Sequence, residues 1–198
     1  MTDKVSYALG LSIGSNLKGT GVNNLVAEDF LAGMKCIFEA TTPAISHEEA
    51  QAVLGAFFED LQNKIKDANL DAGRKYMEEN KAKPGVITLE NGLQYEILKE
   101  GNGPKPVKTD TVTVHYEGTL INGAVFDSSI KRGEPASFPL TGVISGWTEI
   151  LQLMPVGSKW RVTIPSNMAY GERGAGQMIE PNATLVFEIE LLAIEDQR

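Results

Sequence analysis

The sequence predicts an α+β fold, with a helical N-terminal half and a strand-rich C-terminal half. Helical periodicity dominates up to Pro84 and Gly85, and short runs of alternating apolar and polar residues dominate afterwards. Asn-Gly pairs at 91–92 and 122–123 predict tight turns between these runs. A series of helices followed by a series of strands indicates an all-α segment joined to an antiparallel sheet.

The helical half is expected to contain two helices within residues 1–45 and one longer helix over 46–84. The first two are indicated by apolar residues at three- and four-residue steps over 7–17 and 27–39. We therefore interpret residues 1–45 as an N-terminal helical domain.

The third helix is expected to begin at a Ser-x-x-Glu capping box formed by Ser46 and Glu49. Apolar residues recur at helical spacing from Ala50 to Ile65, charged residues dominate beyond that point, and Pro84 ends the helix. The apolar part indicates burial by self-association, and the charged part predicts a solvated rod. The segment 46–84 is interpreted as a long linking helix.

Residues 85–198 are expected to form an antiparallel sheet with one short helix against its apolar face. Apolar and polar residues alternate most clearly over 111–116, 160–164 and 185–191, as they do in strands with one buried face. Between these strands, residues 147–154 fit about two helical turns.

The composition excludes several functional classes. A net charge of −8 argues against sequence-independent binding to nucleic acids, which requires a basic surface. Cys36 is the only cysteine, so no internal disulfide is expected. The sequence shows neither a basic segment followed by an apolar secretion signal nor a run of roughly 20 apolar residues. A cytoplasmic protein that makes no membrane contact is therefore expected.

The sequence contains no glycine-rich motif with the spacing that binds a phosphate or a dinucleotide, and no Cys/His cluster with the spacing that binds a metal. These absences argue against phosphate-loop, dinucleotide and metal chemistry. Two histidines and one cysteine make nucleophile–base catalysis improbable. The strand-rich half instead carries several aromatic residues and one carboxylate, Asp127, near them. An aromatic hollow with a single carboxylate suits a reaction that breaks no covalent bond.

Several segments together resemble the FKBP family of peptidyl-prolyl cis-trans isomerases. They read VHYEGTLINGAVFDSS, VISGW, LMPVGSKW, IPSNMAYGERGAG and NATLVFEIELL, and they span most of 85–194 in order. The preceding YALGLSIGSNL and the long charged helix resemble the N-terminal domain of the Mip-like branch. This resemblance implies an FKBP-like catalytic domain at 85–198 and a V-shaped homodimer formed through the N-terminal helices. The N-terminal part of 46–84 would then lie in the dimer core.

The resemblance also implies a set of site residues and no cofactor or metal. The residues expected to be catalytic are Tyr116, Phe126, Asp127, Trp147, Tyr170 and Phe187. The residues expected to bind substrate or macrolides are Val143, Ile144, Ile179 and Arg132. Trp147 corresponds to the floor of the family's pocket, and the Ile144 N–H and the Tyr170 hydroxyl correspond to its hydrogen-bond donors. Phe138 is expected to be supporting core. For Asp127, a role in the pocket and a role as a turn carboxylate both stay open.

The partners implied are proline-containing peptides and unfolded or folding proteins, bound in a chaperone-like manner, together with macrolide inhibitors such as tacrolimus and rapamycin. The chain departs from the family pattern at Ala136, Ala175, Met178 and Glu180. These departures put macrolide affinity and sequence preference in doubt. They also leave open an alternative function, a non-catalytic adaptor that binds peptides or dimerises on the same fold.

Overall fold

The computed structural model describes residues 2–195, which form two compact units. The first unit is Met1–Gln62 and the second is Asn63–Arg198, so the boundary falls within the third helix. The first unit is all-helical and the second contains the sheet, which confirms the predicted α+β class. The assignment of separate roles to 1–45, 46–84 and 85–198 stays a prediction.

The first unit consists of α1 (Lys4–Gly19), α2 (Ala27–Phe38) and the beginning of α3 (His47–Lys81). The Asp3 carboxylate caps α1 by accepting the Ser6 N–H at 2.9 Å. The Ser46 hydroxyl caps α3 by accepting the Glu49 N–H at 3.1 Å, as the sequence predicts. Neither α1 nor α2 contains a buried residue. No helix in the described part of the chain is both long enough and apolar enough to cross a bilayer.

The second unit is built on one twisted antiparallel sheet. Its strands are β1 (Val86–Thr88), β2 (Gln94–Lys99), β3 (Thr111–Leu120), β4 (Val125–Ser128), β5 (Ala136–Pro139), β6 (Lys159–Ile164) and β7 (Leu185–Glu195). The strand order is β1-β2-β6-β7-β3-β4, and β5 also pairs with β3. Because β4 pairs with the C-terminal part of β3 and β5 with its N-terminal part, the two short strands share one sheet edge.

Two short helices complete this unit. The predicted helix is α5 (Ser145–Leu151), and its residues Trp147, Ile150 and Leu151 are buried in the same core as the apolar face of the sheet. The burial alternates along β3 and places Val112, Val114 and Tyr116 on that face. A second helix, α4 (Ser129–Arg132), is a single turn that follows β4 directly, and four residues are too few to show helical periodicity in a sequence.

The second half of α3 differs from the solvated rod expected from its charges. Gly73 and Asn80 are buried, and residues three or four positions away from them are half-buried. The two buried residues of this face are a glycine and an amide, which are not the large apolar residues that usually mark a buried helical stripe. The expectation was therefore wrong for one face of this segment, which packs within the second unit.

The Ser129 hydroxyl connects α4 to β3. It is fully buried, accepts the Tyr116 N–H at 2.7 Å and lies 3.2 Å from the Tyr116 carbonyl oxygen and 3.0 Å from His115 Nδ1. This hydroxyl therefore satisfies backbone groups of Tyr116 that the neighbouring β4 strand does not reach.

We expect Ser129→Ala to lower the free energy of unfolding by about 1–3 kcal/mol, because the Tyr116 N–H would be buried without an acceptor. Urea unfolding followed by tryptophan fluorescence measures this, since both tryptophans lie in the second unit. Ser137→Ala, at an exposed position on β5, is the matched control and should cost about 0.5 kcal/mol or less. Equal losses in the two variants would contradict the role assigned to Ser129.

Candidate active site

A hollow of about 260 Å³ opens between the sheet and the N-terminal end of α5. Its walls are mostly aromatic and aliphatic side chains. The residues that line it are Tyr116, Phe126, Asp127, Phe138, Gly142, Val143, Ile144, Trp147, Tyr170 and Phe187. The six residues predicted to be catalytic therefore lie around one cavity, together with Val143 and Ile144. Their roles in a reaction stay predictions.

Four structural elements bring the aromatic rings together. Tyr116 is on β3, Phe187 on the neighbouring β7 and Phe126 on β4, while Trp147 projects from α5. Tyr116, Trp147 and Phe187 are 4–5% exposed, whereas Phe126 is half-buried at the side. The floor of the hollow is therefore part of the hydrophobic core.

The rings around Trp147 pack edge to face. Its ring centroid lies 5.2 Å from that of Tyr116, 5.3 Å from that of Phe187 and 5.7 Å from that of Phe138, with interplanar angles of 80–89°. Phe126 makes the same kind of contact with Phe187 at 5.5 Å. Such pairs contribute about 0.5–1.5 kcal/mol each beyond the burial of their surface. The contacts fix the orientation of each ring, so the shape of the hollow is set before anything binds.

Gly118 provides the space that two of these rings occupy. It lies opposite Asp127 on β4 and opposite Phe187 on β7. A Cβ atom at this position would lie 2.5 Å from Phe126 Cζ and 2.8 Å from Phe187 Cε1. Gly118 was not among the predicted site residues. Its signal was a glycine two positions after Tyr116 on the same strand face, since glycine inside a strand often marks a close approach.

A polar network occupies one side of the hollow. The Tyr116 hydroxyl donates to Asp127 Oδ2, and Arg132 Nη1 forms an ion pair with Asp127 Oδ1. Arg132 Nη2 also donates to the Tyr116 hydroxyl oxygen at 3.0 Å, and the guanidinium lies over the Tyr116 ring at 5.6 Å. The carboxylate is thus held by a cation and a phenol and is not aimed at the cavity as a free base.

The network shifts the pKa values of its members apart. Burial alone would raise the pKa of Asp127, but hydrogen bonds from Tyr116 and Arg132 outweigh it and hold that pKa below its ordinary value. Burial, and then the hydrogen bond to Asp127, raise the pKa of the Tyr116 hydroxyl. At neutral pH the carboxylate is therefore charged and the phenol is neutral.

Two hydrogen-bond donors stand at the rim of the hollow. Ile144 precedes the first turn of α5, its carbonyl oxygen accepts from Trp147 N and Thr148 N, and its own N–H has no acceptor within residues 2–195. Tyr170 is 41% exposed and lines the cavity just before a short 3₁₀ turn at Gly171–Arg173. Both donors are available to a bound molecule.

The other predicted residues lie near the hollow without all lining it. Arg132 acts through Asp127 and Tyr116, as described above. Ile179 is buried beside an adjoining hollow that shares Phe126, Asp127 and Tyr170 with the first. Phe138, expected to be supporting core, lines the first hollow while packing on the core, so that expectation was incomplete.

Metal chemistry has no support in the described part of the chain. Residues 2–195 contain no group of three or more His, Cys, Asp or Glu side chains arranged to hold a metal ion. His115, the histidine nearest the hollow, contacts Ser129 from the strand position next to Tyr116. The arrangement can bind and orient an apolar ring and donate hydrogen bonds to a carbonyl group.

Comparison with protein families gives two matches that together cover nearly the whole chain. Residues 103–192 match the family described as FKBP-type peptidyl-prolyl cis-trans isomerase. Residues 2–97 match the domain amino terminal to FKBP-type peptidyl-prolyl isomerase. The second match includes α1, α2, α3 and the first hairpin.

Individual relatives agree with this assignment. The FKBP-type 22 kDa peptidyl-prolyl cis-trans isomerase of Escherichia coli is 47% identical over 96% of this chain and 94% of its own. Outer membrane protein MIP of Legionella longbeachae is 44% identical over 98% of this chain and 85% of its own. The crystal structure of FkpA from Escherichia coli superimposes with a TM-score of 0.78 at 38% identity, covering 97% of this chain and 95% of that one.

The relatives also overturn one prediction. A cytoplasmic location was expected, and it is wrong, because a relative that aligns with 98% of the chain is named as an outer membrane protein. A short apolar export signal is a feature of the N-terminus alone and leaves no trace in the fold. With identities of 44–47% over at least 96% of its length, this chain belongs to the FKBP-type peptidyl-prolyl cis-trans isomerase family.

Proposed function

We propose that the aromatic hollow binds the proline ring of a substrate and accelerates rotation about the preceding peptide bond without forming a covalent intermediate. The observation that supports this most is the combination of a rigid ring-lined cavity with two free donors at its rim, Ile144 N–H and the Tyr170 hydroxyl. The family assignment favours this enzyme over the non-catalytic adaptor.

The physical basis of the rate increase is the loss of amide resonance during rotation. The barrier of about 20 kcal/mol reflects the partial double bond between carbon and nitrogen. In the twisted state charge separation across the amide falls, so water stabilises that state less than the planar one. An apolar cavity removes this preference of the solvent for the planar state. Each 1.4 kcal/mol of such a difference gives about a tenfold rate.

The rim donors and the polar network have separate roles in this mechanism. Ile144 N–H and the Tyr170 hydroxyl hold carbonyl groups beside the proline and so fix the chain in a turn. Asp127 keeps the Tyr116 phenol oriented at the side of the cavity through the bond that they share. Because Asp127 is paired with Arg132, it adds little net charge to a site that must remain apolar.

The hollow is also where we propose that macrolides such as tacrolimus and rapamycin bind. They would contact the same ring surfaces and the same rim donors. Ala175 and Met178 line the adjoining hollow, so two of the four residues in which this chain departs from the family pattern lie where they can alter affinity.

The first unit supports a further proposal, that the protein is a homodimer. Large apolar side chains of its three helices are exposed in one copy of the chain. They include Leu9, Leu31, Ile37, Phe38, Val53, Leu54, Phe57 and Phe58, with exposures of 40–82%. So few residues cannot build a core alone, and a second copy supplies a surface with the same apolar character.

A dimer would give chaperone-like binding of folding proteins. Two hollows joined in one particle can hold an unfolded chain at two prolines, which raises the effective concentration of the second contact. Short peptides reach one hollow only and gain nothing from the second.

We expect Trp147→Leu and Phe126→Ala to lower kcat/KM for a proline tetrapeptide by about a hundredfold, because the apolar surface that favours the twisted amide is lost. Asp127→Leu should lower it less, since the carboxylate acts through Tyr116. A protease-free kinetic assay measures this, with circular dichroism as the check on folding. Val107→Ala, at a 58% exposed side chain of the second unit, is the control. Full activity in a folded Phe126→Ala variant would contradict the proposed pocket.

We expect kcat/KM not to depend on pH between about 5 and 9. The pKa of Asp127 is below its ordinary value, so the carboxylate stays charged in this range, and the pKa of Tyr116 is above its ordinary value, so the phenol stays neutral. Acidification below this window protonates Asp127, releases Arg132 and lowers kcat/KM. In Asp127→Asn this acid-side decrease should be absent in the range where the chain remains folded. A decrease centred near pH 6.5 would contradict the assignment and point to a histidine.

Phe58→Asp should convert the dimer into a monomer in sedimentation velocity, because it places a charge among apolar side chains. Tetrapeptide turnover should stay within about twofold, while catalysis of a proline-limited refolding reaction should fall about tenfold. Gln62→Asp adds the same charge at an exposed polar position and should change neither property. A wild-type chain that sediments as a monomer would contradict the proposed dimer. Equal losses on both substrates would contradict the proposal that dimerisation serves protein substrates and not short peptides.

A further inference from the structure

The second half of α3 touches the loop that follows Tyr170. One face of the helix carries Lys66, Asn69 and Gly73, which follow one another at steps of three and four residues. This face lies against residues 171–184, here called the rim loop, which begins directly after Tyr170. Helix and rim loop both belong to the second unit. Contacts on the helix therefore act next to a residue at the edge of the hollow.

Asn69 makes the central contact. Its Nδ2 donates to the Pro181 carbonyl oxygen at 2.9 Å and to Glu180 Oε2 at 3.1 Å. One amide group thus satisfies two acceptors of the rim loop. Because Pro181 has no backbone N–H of its own, the side-chain donor on α3 is an additional hydrogen bond that fixes the position of this turn.

Lys66 contacts the rim loop near its beginning and near its end. Its ammonium forms an ion pair with Glu172 at 3.2 Å, near the start of the rim loop. Its carbonyl oxygen accepts from Asn182 Nδ2 at 3.5 Å, near the end of the loop. Asn182 is 7% exposed, and its φ of +60° is a conformation that asparagine adopts more readily than most residues. The helix therefore holds both ends of the rim loop.

Gly73 allows the helix to approach this closely. A Cβ atom there would lie 2.3 Å from Thr184 Oγ1 and 3.2 Å from Thr184 Cβ. Thr184 is 6% exposed and immediately precedes β7, so the helix rests on the junction between the rim loop and the sheet. Any larger side chain at 73 would push the two apart.

The rim loop passes these contacts on to Tyr170. The Asn182 N–H donates to the Gly171 carbonyl oxygen at 2.8 Å, which closes the base of the loop next to Tyr170. Further along, Ala175 and Ile179 exchange two backbone hydrogen bonds of 2.8 and 3.1 Å, and Ile179 is buried in the core. These hydrogen bonds connect the part of the loop that contacts α3 to the residue that follows Tyr170.

The helix is itself anchored at its far end. Asn80, 8% exposed, donates to Gln94 Oε1 at 2.9 Å, and Gln94 Nε2 donates to the Met77 carbonyl oxygen at 2.8 Å. These buried amides join the last turn of α3 to the first residue of β2. The helix thus provides a fixed support for the rim loop.

We propose that Asn69 is a positioning residue for isomerisation, which holds the rim loop through Pro181 and thereby sets the place of the Tyr170 hydroxyl at the hollow. This proposal rests on the proposed function of the hollow. It makes the second half of α3 part of the catalytic apparatus and not only a spacer. Substitutions on this helical face then change turnover of even a tetrapeptide, although no residue of α3 lines the hollow.

A double-mutant cycle between Asn69→Asp and Tyr170→Phe tests the proposal. Aspartate matches asparagine in size but cannot donate to the Pro181 carbonyl oxygen, and it faces Glu180. In the otherwise unchanged full-length chain, Asn69→Asp should lower kcat/KM for a proline tetrapeptide about fivefold. In the Tyr170→Phe background it should lower kcat/KM by less than about twofold, because the group that it positions is already absent. An equal effect in both backgrounds, or none in either, would overturn the proposal.

The matched control is Asn63→Asp, which makes the same change on an exposed residue of the same helix. It should leave kcat/KM and the amide exchange of the rim loop unchanged. Asn69→Asp should speed hydrogen exchange at the Asn182 and Ile179 amides about tenfold and leave the Leu191 amide on β7 unaffected. An unchanged hydrogen-exchange rate at the Asn182 amide would contradict the proposal that Asn69 holds the rim loop, whatever the activity of the variant. Loss of activity in Phe126→Ala with full activity in Asn69→Asp would overturn this inference alone and leave the proposed function intact.

Gly73→Ala offers a second route to the same result. Alanine favours a helix over glycine, so a loss of activity here comes from the collision with Thr184 and not from a weaker helix. We expect Gly73→Ala to lower kcat/KM about threefold or more, and the double variant Gly73→Ala/Thr184→Ala to recover most of it, because the Oγ1 atom is removed. Activity of Gly73→Ala equal to that of the unchanged chain would contradict the supporting role of the helix.

Discussion

The edge-to-face packing around Trp147 is the interaction on which the site depends. The indole joins α5 to the sheet by contacting rings from β3, β5 and β7. Removing these rings from water stabilises the fold, and the parts of their surfaces that do not contact one another line the hollow. The stability of the fold and the proposed function therefore rest on the same side chains. The indole N–H of Trp147 is buried and has no hydrogen-bond partner within the described residues.

The polar groups are arranged so that this apolar surface stays apolar. Asp127 is the only carboxylate lining the main hollow within residues 2–195, and its charge is compensated by Arg132 and the Tyr116 phenol. An unpaired carboxylate would attract water into the cavity and restore the solvent that favours the planar amide. The remaining donors stand at the rim, where they can hold the peptide backbone without wetting the floor. The support that α3 gives to the rim loop extends this organisation beyond the cavity walls.

Much of the fold and of the site was predictable from local sequence patterns. Alternation placed Val112, Val114 and Tyr116 on one strand face, and the capping box at Ser46 marked the start of α3. The set of aromatic site residues was predicted from the resemblance of several ordered motifs to the FKBP family. The features that were not predicted depend on contacts between segments distant in sequence. Gly118 and Gly73 are important because other residues pack closely against them. A glycine in a sequence does not indicate which residues will do so.

The burial of one face of α3 was also not predictable from local sequence patterns. Asn69 and Asn80 look like solvated residues in a charged segment, yet each donates to a partner that folding alone brings near. The location of the protein in the cell is a further property that packing does not encode.

The most direct measurement is a crystal structure of the full-length chain with a proline-containing peptide bound. We expect the pyrrolidine ring to lie in the hollow with its atoms about 4 Å from the Trp147 ring, and the Ile144 N–H to donate to a peptide carbonyl. A proline ring bound elsewhere, with water filling the space above Trp147, would contradict it.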